Sequence, residues 1–192
     1  MAYMAHGENS PTPQSKVNKS EPDKYPTVAV LTISDRSAQG LRKDLSGPAV
    51  VHSIHRLTGW NCTKTDIVSD NVSKISAKLS RWADEDKINL IITTGGTGLT
   101  GRDITPEVLD EIADKKIPGF GELFRQLSYQ TVGTSTLQSR ACAILKNGKY
   151  VFALPGSSGG VTDAWEMILK YQLDINHKPC NFVELFPRLK EK

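Results

Sequence analysis

The stretch NLIITTGGTGLTGRDITPE, residues 89–107, passes from an apolar run straight into three glycines within four residues. NLIITT (89–94) is apolar and β-branched without alternation, the pattern of a strand covered on both faces. Glycine loses more backbone entropy on folding than any other residue. A cluster of it marks a turn that other residues cannot make, or a backbone that something approaches closely. Thr105-Pro106-Glu107 then reads as a helix start, with Thr as N-cap, Pro in the first turn and Glu at the positive end of the dipole. Strand, glycine loop and helix form one β–α unit.

The same alternation continues on either side. Upstream, TVAVLTIS (27–34) reads as a buried strand and SDRSAQGLRKDLSG (34–47) as a long polar loop. A helix opens at Pro48, carries Val51, Ile54 and Leu57 at helical spacing, and stops at Gly59. TKTDIVSD (63–70) is a further strand, and NVSKISAKLSRWADED (71–86) a helix with Val72, Ile75, Leu79 and Trp82 on one face. Downstream come a helix over about 119–130, the strand KYVFALPGS (149–157) ending in a tight turn, and the helix TDAWEMILKYQL (162–173). The segment NFVELFPRLKEK is expected to pack on the body or on a neighbouring subunit. The alternation predicts an α/β fold: a three-layer α/β/α domain with a mostly parallel central sheet. Residues 1–26 are rich in Ser, Pro, Asn and Lys and lack an apolar period, so they are expected to form a disordered tail, with the domain over 27–192.

The composition narrows the function. Of 192 residues 38% are hydrophobic and 23% charged, and the net charge of +3 gives no basic stripe for nucleic acid. No apolar run approaches the roughly 20 residues of a membrane span, and no signal-peptide pattern opens the chain, so the cytoplasm is the expected location. Cys62, Cys142 and Cys180 are widely spaced and read as reduced thiols. His52 and His55 lie three apart on a helix, with no Cys, Asp or Glu at a supporting spacing for a metal.

In a parallel sheet of this kind, ligands bind beyond the carboxyl ends of the strands. The residues expected there are Thr32, Ser34, Asp35, Asp44 and Ser46 after the first strand, Asp70 after the second, Gly95, Gly96, Thr97, Gly98 and Asp103 after the third, and Pro155, Gly156, Ser157 and Ser158 after the last. Glycine N–H groups and hydroxyls suit phosphate, and carboxylates suit Mg²⁺. GGTG is neither a P-loop nor GxGxxG. Asp103 has no evident capping duty, because Thr105 is available for it, whereas Asp70 or Asn71 could cap the helix that follows. If Asp70 and Asp103 converge, their repulsion calls for a compensating cation, which favours a metal-nucleotide site.

TISDR (32–36), DLSG (44–47), TTGGTGLTGRDITPE (93–107), PGFGELFR (118–125), GTSTLQSRA (133–141) and ALPGS (153–157) resemble the molybdenum cofactor biosynthesis proteins of the MoaB/Mog type, the domain that also forms the G domain of gephyrin. The resemblance covers roughly residues 26 to 184, and FGELFRQLS, GTSTLQSR and PCNF look more like the MoaB branch. It implies a trimer or hexamer that uses Mg²⁺ and ATP to adenylylate molybdopterin, releasing pyrophosphate, with a molybdenum insertase as a downstream partner. It also implies the alternative of a non-catalytic molybdopterin-binding oligomer. By resemblance, Asp70 and Asp103 are the catalytic and metal-holding carboxylates. Thr32, Ser34, Asp44, Ser46, Gly47, Gly95, Gly96, Thr97, Gly98, Ser139, Pro155, Gly156 and Ser157 are the substrate and nucleotide contacts. The chain keeps an Asp at 70, which some MoaB-branch members lack. It continues ALPGS as SGG, where many active relatives carry Asn or Gln.

Overall fold

A computed structural model describes residues 26–57 and 59–191; the expected tail lies outside these but for Pro26. Six strands form one sheet in the order β2-β1-β3-β6-β5-β4. They are β1 (Thr27–Ile33), β2 (Asn61–Val68), β3 (Leu90–Thr94), β4 (Lys115–Lys116), β5 (Cys142–Lys146) and β6 (Lys149–Leu154). β2, β1, β3 and β6 run parallel, while β5 is antiparallel to both β6 and β4. The fold is therefore the expected mostly parallel α/β/α sandwich.

The helices are α1 (Asp35–Ala38), α2 (Ser46–His55), α3 (Val72–Asp84), α4 (Thr105–Ile112), α5 (Pro118–Val132) and α6 (Ser158–Ala164), the last continuing through a π-helical turn, Trp165–Leu169. The period-two pattern of β1 sorts the core into two. Val28 and Val30 face a layer containing Val50 and Ile54 of α2, Phe120 and Phe124 of α5, and Val161 and Ala164 of α6. Ala29, Leu31 and Ile33 face Ile75, Leu79 and Trp82 of α3 and Val108 and Leu109 of α4. Each such fully buried aliphatic or aromatic side chain stabilises the fold by about 1.5–3 kcal/mol. The C-terminal segment packs on the body: Phe182 and Phe186 lie with ring centroids 4.7 and 5.5 Å from Tyr150.

Several local expectations change. The polar loop 34–47 contains α1, capped by Ser34 Oγ accepting from Ser37 N at 3.3 Å. α2 begins at Ser46, not at Pro48, because the Asp44 carboxylate accepts from the first-turn amides of Ser46 and Gly47 at 3.0 and 3.1 Å. Val72 is 44% exposed and does not join the buried face of α3. Asn71, not Asp70, caps that helix, accepting from Lys74 N at 3.1 Å. β5 was not expected, yet the turn that joins it to β6 is Asn147-Gly148, both residues at positive φ. That dipeptide is a strong hairpin signal.

Candidate functional site

The chain runs from β1 outward to β2 and then crosses back over β1 to β3, so the sheet has its switch point between β1 and β3. A cleft of about 540 Å³ opens at the carboxyl ends of the strands there.

The glycine loop forms its floor. Gly95 has φ +103°, and a Cβ on it would lie 2.2 Å from the Ile33 carbonyl oxygen. Gly96 has φ +65°, and its Cβ would lie 2.4 Å from Thr105 Oγ1. Any side chain at either position would collide and strain the backbone, which is why the chain carries glycine despite its entropy cost. Gly95 N donates to Leu154 O at 3.0 Å, and Thr105 N to Gly96 O at 3.0 Å. Thr105 is therefore not the expected N-cap. It is the first residue of α4, and its hydroxyl donates to Gly95 O at 2.9 Å, stapling the loop. The backbone of Gly156 sits against this loop, where a Cβ would lie 3.1 Å from Gly95 Cα.

Asp70 and Asp103 both line this cleft. Asp70 Oδ2 accepts from Asp35 N at 2.7 Å, while Asp70 N donates to Asp35 Oδ1 at 3.1 Å. Its other oxygen lies 3.5 Å from where a Gly96 Cβ would stand. Burial first, and the Asp103 charge second, push the Asp70 carboxyl above its ordinary value. Asp103 has a local duty that sequence reasoning missed: it accepts from Thr100 N at 2.9 Å and Thr100 Oγ1 at 2.6 Å. Burial alone would raise its carboxyl, but the Thr100 hydroxyl and the amides of Thr100 and Gly98 outweigh it and hold it below the usual range. Asp103 is the firmer anion of the two, and Asp70 the one whose charge costs more.

The other expected site residues divide. Thr32, Ser34, Asp44, Ser46, Gly95, Gly96, Gly156 and Ser157 line the same cleft. Thr97, Gly98, Ser139 and Pro155 line an adjoining hollow of about 320 Å³ that shares Gly96, Asp103, Gly156 and Ser157 with it. Gly47 lines neither. It borders a separate groove that also carries His52 and His55, and its lack of a Cβ makes room for the 2.6 Å bond from Thr32 Oγ1 to Asp44 Oδ2. Asp44 is thus bound by Thr32, Ser46 and Gly47 together, not left to solvent. Ser34 and Ser157 each accept a helix-capping bond from an amide, which leaves their O–H donors for a ligand.

The cations of the site went unread in the sequence. Arg42, Lys43 and Arg102 line the cleft, and Arg102 pairs with Asp35. Arg140 donates from Nε to Gly98 O at 2.7 Å, binds the Asp103 carbonyl and pairs with Glu107, clamping the loop from behind. The available signal was Arg102 itself, a cation next to Asp103 on the strand-end rim.

Among the described residues no cluster of three or more His, Cys, Asp or Glu side chains is placed to hold a metal. Two carboxylates suit Mg²⁺, which commonly takes one or two from the protein and the rest of its oxygens from water and phosphate. With cationic side chains and bare glycine backbone in the same cleft, the arrangement fits a metal-loaded polyphosphate better than a resident ion.

Residues 29–174 match the family described as probable molybdopterin binding domain. The chain is 42% identical over 164 residues to molybdenum cofactor biosynthesis protein B of Escherichia coli K12, spanning 85% of this chain and 93% of that one. It is also 42% identical over 155 residues to the protein of the same name from Staphylococcus aureus Mu50, covering 77% and 87%. The crystal structure of the tungsten cofactor synthesizing protein MoaB from Pyrococcus furiosus superimposes with a TM-score of 0.69 at 38% identity, covering 76% of this chain and 91% of that one. A crystal structure of a molybdenum cofactor biosynthesis protein B does so with a TM-score of 0.75 at 30% identity, covering 90% and 100%. The chain belongs to the MoaB/Mog family of molybdopterin-binding domains, and its role lies in molybdenum cofactor biosynthesis. Among the described residues no helix is long and apolar enough to cross a membrane.

Proposed function

We propose that the chain is a molybdopterin adenylyltransferase. A terminal phosphate oxygen of molybdopterin attacks the α-phosphorus of ATP. The new P–O–P bond joins AMP to the pterin, and the bond to the β-phosphate breaks to release pyrophosphate. The observation that carries the reading is one cleft holding two carboxylates that form no ion pair with a lysine or arginine among the described residues, a glycine backbone and the side chains of Arg42, Lys43 and Arg102.

Asp70 and Asp103 are the residues that would hold Mg²⁺, and the ion, when bound, supplies neutralisation of the phosphate charge. The side chains do the positioning. Arg42, Lys43 and Arg102 balance the triphosphate, and the hydroxyls of Ser34 and Ser157 offer donors to phosphate oxygens. The attacking phosphate is already ionised, so no serine–histidine pair is needed to activate it. Catalysis of this kind rests on orientation and electrostatic stabilisation. Thr97, Gly98 and Ser139, in the adjoining hollow, are the proposed contacts of the pterin end. Leu99 and Leu137, 66% and 76% exposed, are surface that a second subunit of a trimer or hexamer, or a molybdenum insertase, would cover.

The test is direct. Purified protein with molybdopterin, Mg²⁺ and ATP labelled at the α-phosphate is expected to move label onto the pterin and release one pyrophosphate per label. Pterin binding without transfer would favour the second reading, a non-catalytic molybdopterin-binding oligomer. That reading draws on the MoaB-branch signature of FGELFRQLS, GTSTLQSR and PCNF.

A further inference from the structure

Asp35, like Asp44, is an acidic side chain at this rim that the reading above does not use; Asp44 is taken up by Thr32, Ser46 and Gly47. Asp35 lies beside the cleft and does not line it. Helix capping does not explain it, since Ser34 caps α1, a helix of four residues. Its contacts do. The backbone pairing of β1 with β2 ends at Ile33 with Val68, followed by one more bond, Ser34 N to Val68 O at 2.9 Å. Beyond that point Asp35 and Asp70 carry the ladder on through their side chains, each carboxylate accepting the other's amide at 2.7 and 3.1 Å. The second oxygen of Asp35 takes Nη2 of Arg102. Arg102 is covalently next to Asp103, and Asp103 is fixed by Thr100 and, through its carbonyl, by Arg140. Asp35 therefore bonds Asp70 directly and reaches the Asp103 side of the pair through Arg102, the residue next to it in the chain.

We infer that Asp35 is a positioning residue: one carboxylate oxygen holds the Asp70 backbone amide, and so fixes the strand tip from which the Asp70 carboxylate projects, and the other aims the Arg102 guanidinium into the cleft at the polyphosphate. The inference rests on the adenylyl-transfer reading. The Arg102 side chain is 66% exposed, so its pairing with Asp35 contributes little to folding. A guanidinium carries five N–H donors, and Asp35 occupies one side of it, leaving the remainder for phosphate oxygens. Residues that orient a metal-holding carboxylate typically change metal affinity by about 10–100-fold when removed.

The two contacts of Asp35 can be separated. Asp35→Ala removes both. Asp35→Asn keeps an oxygen for Asp70 N–H and removes the charge that holds Arg102. The probe is Mn²⁺ with a non-hydrolysable ATP analogue, followed by the electron paramagnetic resonance signal of bound Mn²⁺, alongside steady-state kinetics and molybdopterin binding. Asp35→Ala is expected to weaken Mn²⁺–nucleotide binding about tenfold and to lower kcat, with molybdopterin affinity and melting point near those of the parent. Asp35→Asn is expected to behave like Arg102→Ala, with a raised KM for ATP, and Asp35→Asn combined with Arg102→Ala should be no worse than Arg102→Ala alone. If the parent binds Mn²⁺–nucleotide and Asp35→Ala binds it equally well, the positioning role is wrong while the adenylyl-transfer reading stands. A loss of pterin affinity and melting point together with metal affinity would mark a folding effect and overturn the role as well. If the parent itself binds no Mn²⁺–nucleotide, the adenylyl-transfer reading falls and takes this inference with it.

Discussion

At the amino end of the sheet, Asp84, Asp86 and Asp114 line a hollow of about 440 Å³; at the carboxyl end, Asp70 and Asp103 line one of about 540 Å³. At the amino end the acids have cations or amides of their own. Lys146 Nζ stands 3.1 Å from Asp114, Asn147 N donates to Asp114 at 2.6 Å, Asn147 Nδ2 donates to Asp84, and Lys190 lies 4.0 Å from Asp86. At the carboxyl end the two carboxylates receive, among the described residues, backbone and hydroxyl donors. The nearby guanidinium of Arg102 pairs through one side with Asp35, and that of Arg140 is taken by Glu107 and two carbonyls. One rim is neutralised within the chain, and the other holds negative charge that an incoming cation can complete.

The largest effect that can break this contrast is catalytic. Asp103→Asn keeps shape and an acceptor for Thr100 but removes the charge, and turnover is expected to fall by about 10²–10³-fold, or roughly 2.7–4 kcal/mol of transition-state stabilisation. Asp114→Asn at the other rim is expected to leave turnover within about twofold, since its charge is already met by Lys146. Label transfer to molybdopterin, with melting curves of both variants, decides it. Equal losses at the two rims would remove the distinction.

Next in size is the backbone of the loop. Gly95→Ala would place a Cβ 2.2 Å from Ile33 O at a φ of +103°, whereas at Gly101 nothing lies within 4 Å. Gly95→Ala is expected to destabilise the fold by about 2 kcal/mol or more. At this chain length that lowers the melting point by roughly 4–8 °C. Gly101→Ala should stay within about 0.5 kcal/mol of the parent. Calorimetry on the pair separates a required glycine from a merely permitted one.

What could be read from the sequence follows from where the information lies. β1 and β3 were legible because consecutive residues feed both core layers, and the glycine loop because glycine at such density has few other causes. Strand-end placement put Asp70 and Asp103 on one rim, and the family resemblance singled them out as a pair. β5 escaped because CAILK is short and has no flanking pattern of its own, although Asn147-Gly148 pointed to its hairpin. Asp35 could be placed at the rim but its partners could not be read: they stand 35 and 67 positions away, and nothing in a polar loop distinguishes an aspartate that locks two strand tips from one facing water. Asp103 was misjudged for a related reason. Thr105 looked like the cap, but its hydroxyl is taken by Gly95, a contact visible only once the loop is folded.

The smallest effects give the contrast its sharpest form, because Asp70 on one rim and Asp114 on the other should respond to pH with opposite sign. The Asp70 carboxyl is raised in the folded state by burial and by Asp103. Its contribution to stability is therefore fully present below the unfolded carboxylate pKa and is lost as pH rises through the folded one. Asp70→Asn retains an acceptor for Asp35 N–H and lacks the charge, so relative to the parent it should gain stability as pH is raised from the acidic range to neutrality. Asp114 runs the other way. Burial would raise it, but the Asn147 amide and Lys146 overcome that and hold its carboxyl low. Its contribution is present above the unfolded pKa and disappears as pH falls through the folded one. Lys146→Ala should therefore cost about 0.2–1 kcal/mol at neutral pH in low salt and less in 1 M salt. The cost should shrink towards zero once the carboxylates protonate. Melting points of parent, Asp70→Asn and Lys146→Ala across one pH series test both at once. Slopes of the same sign would mean that Asp70 and Asp114 sit in equivalent surroundings, and Asp70 would lose its electrostatic distinction.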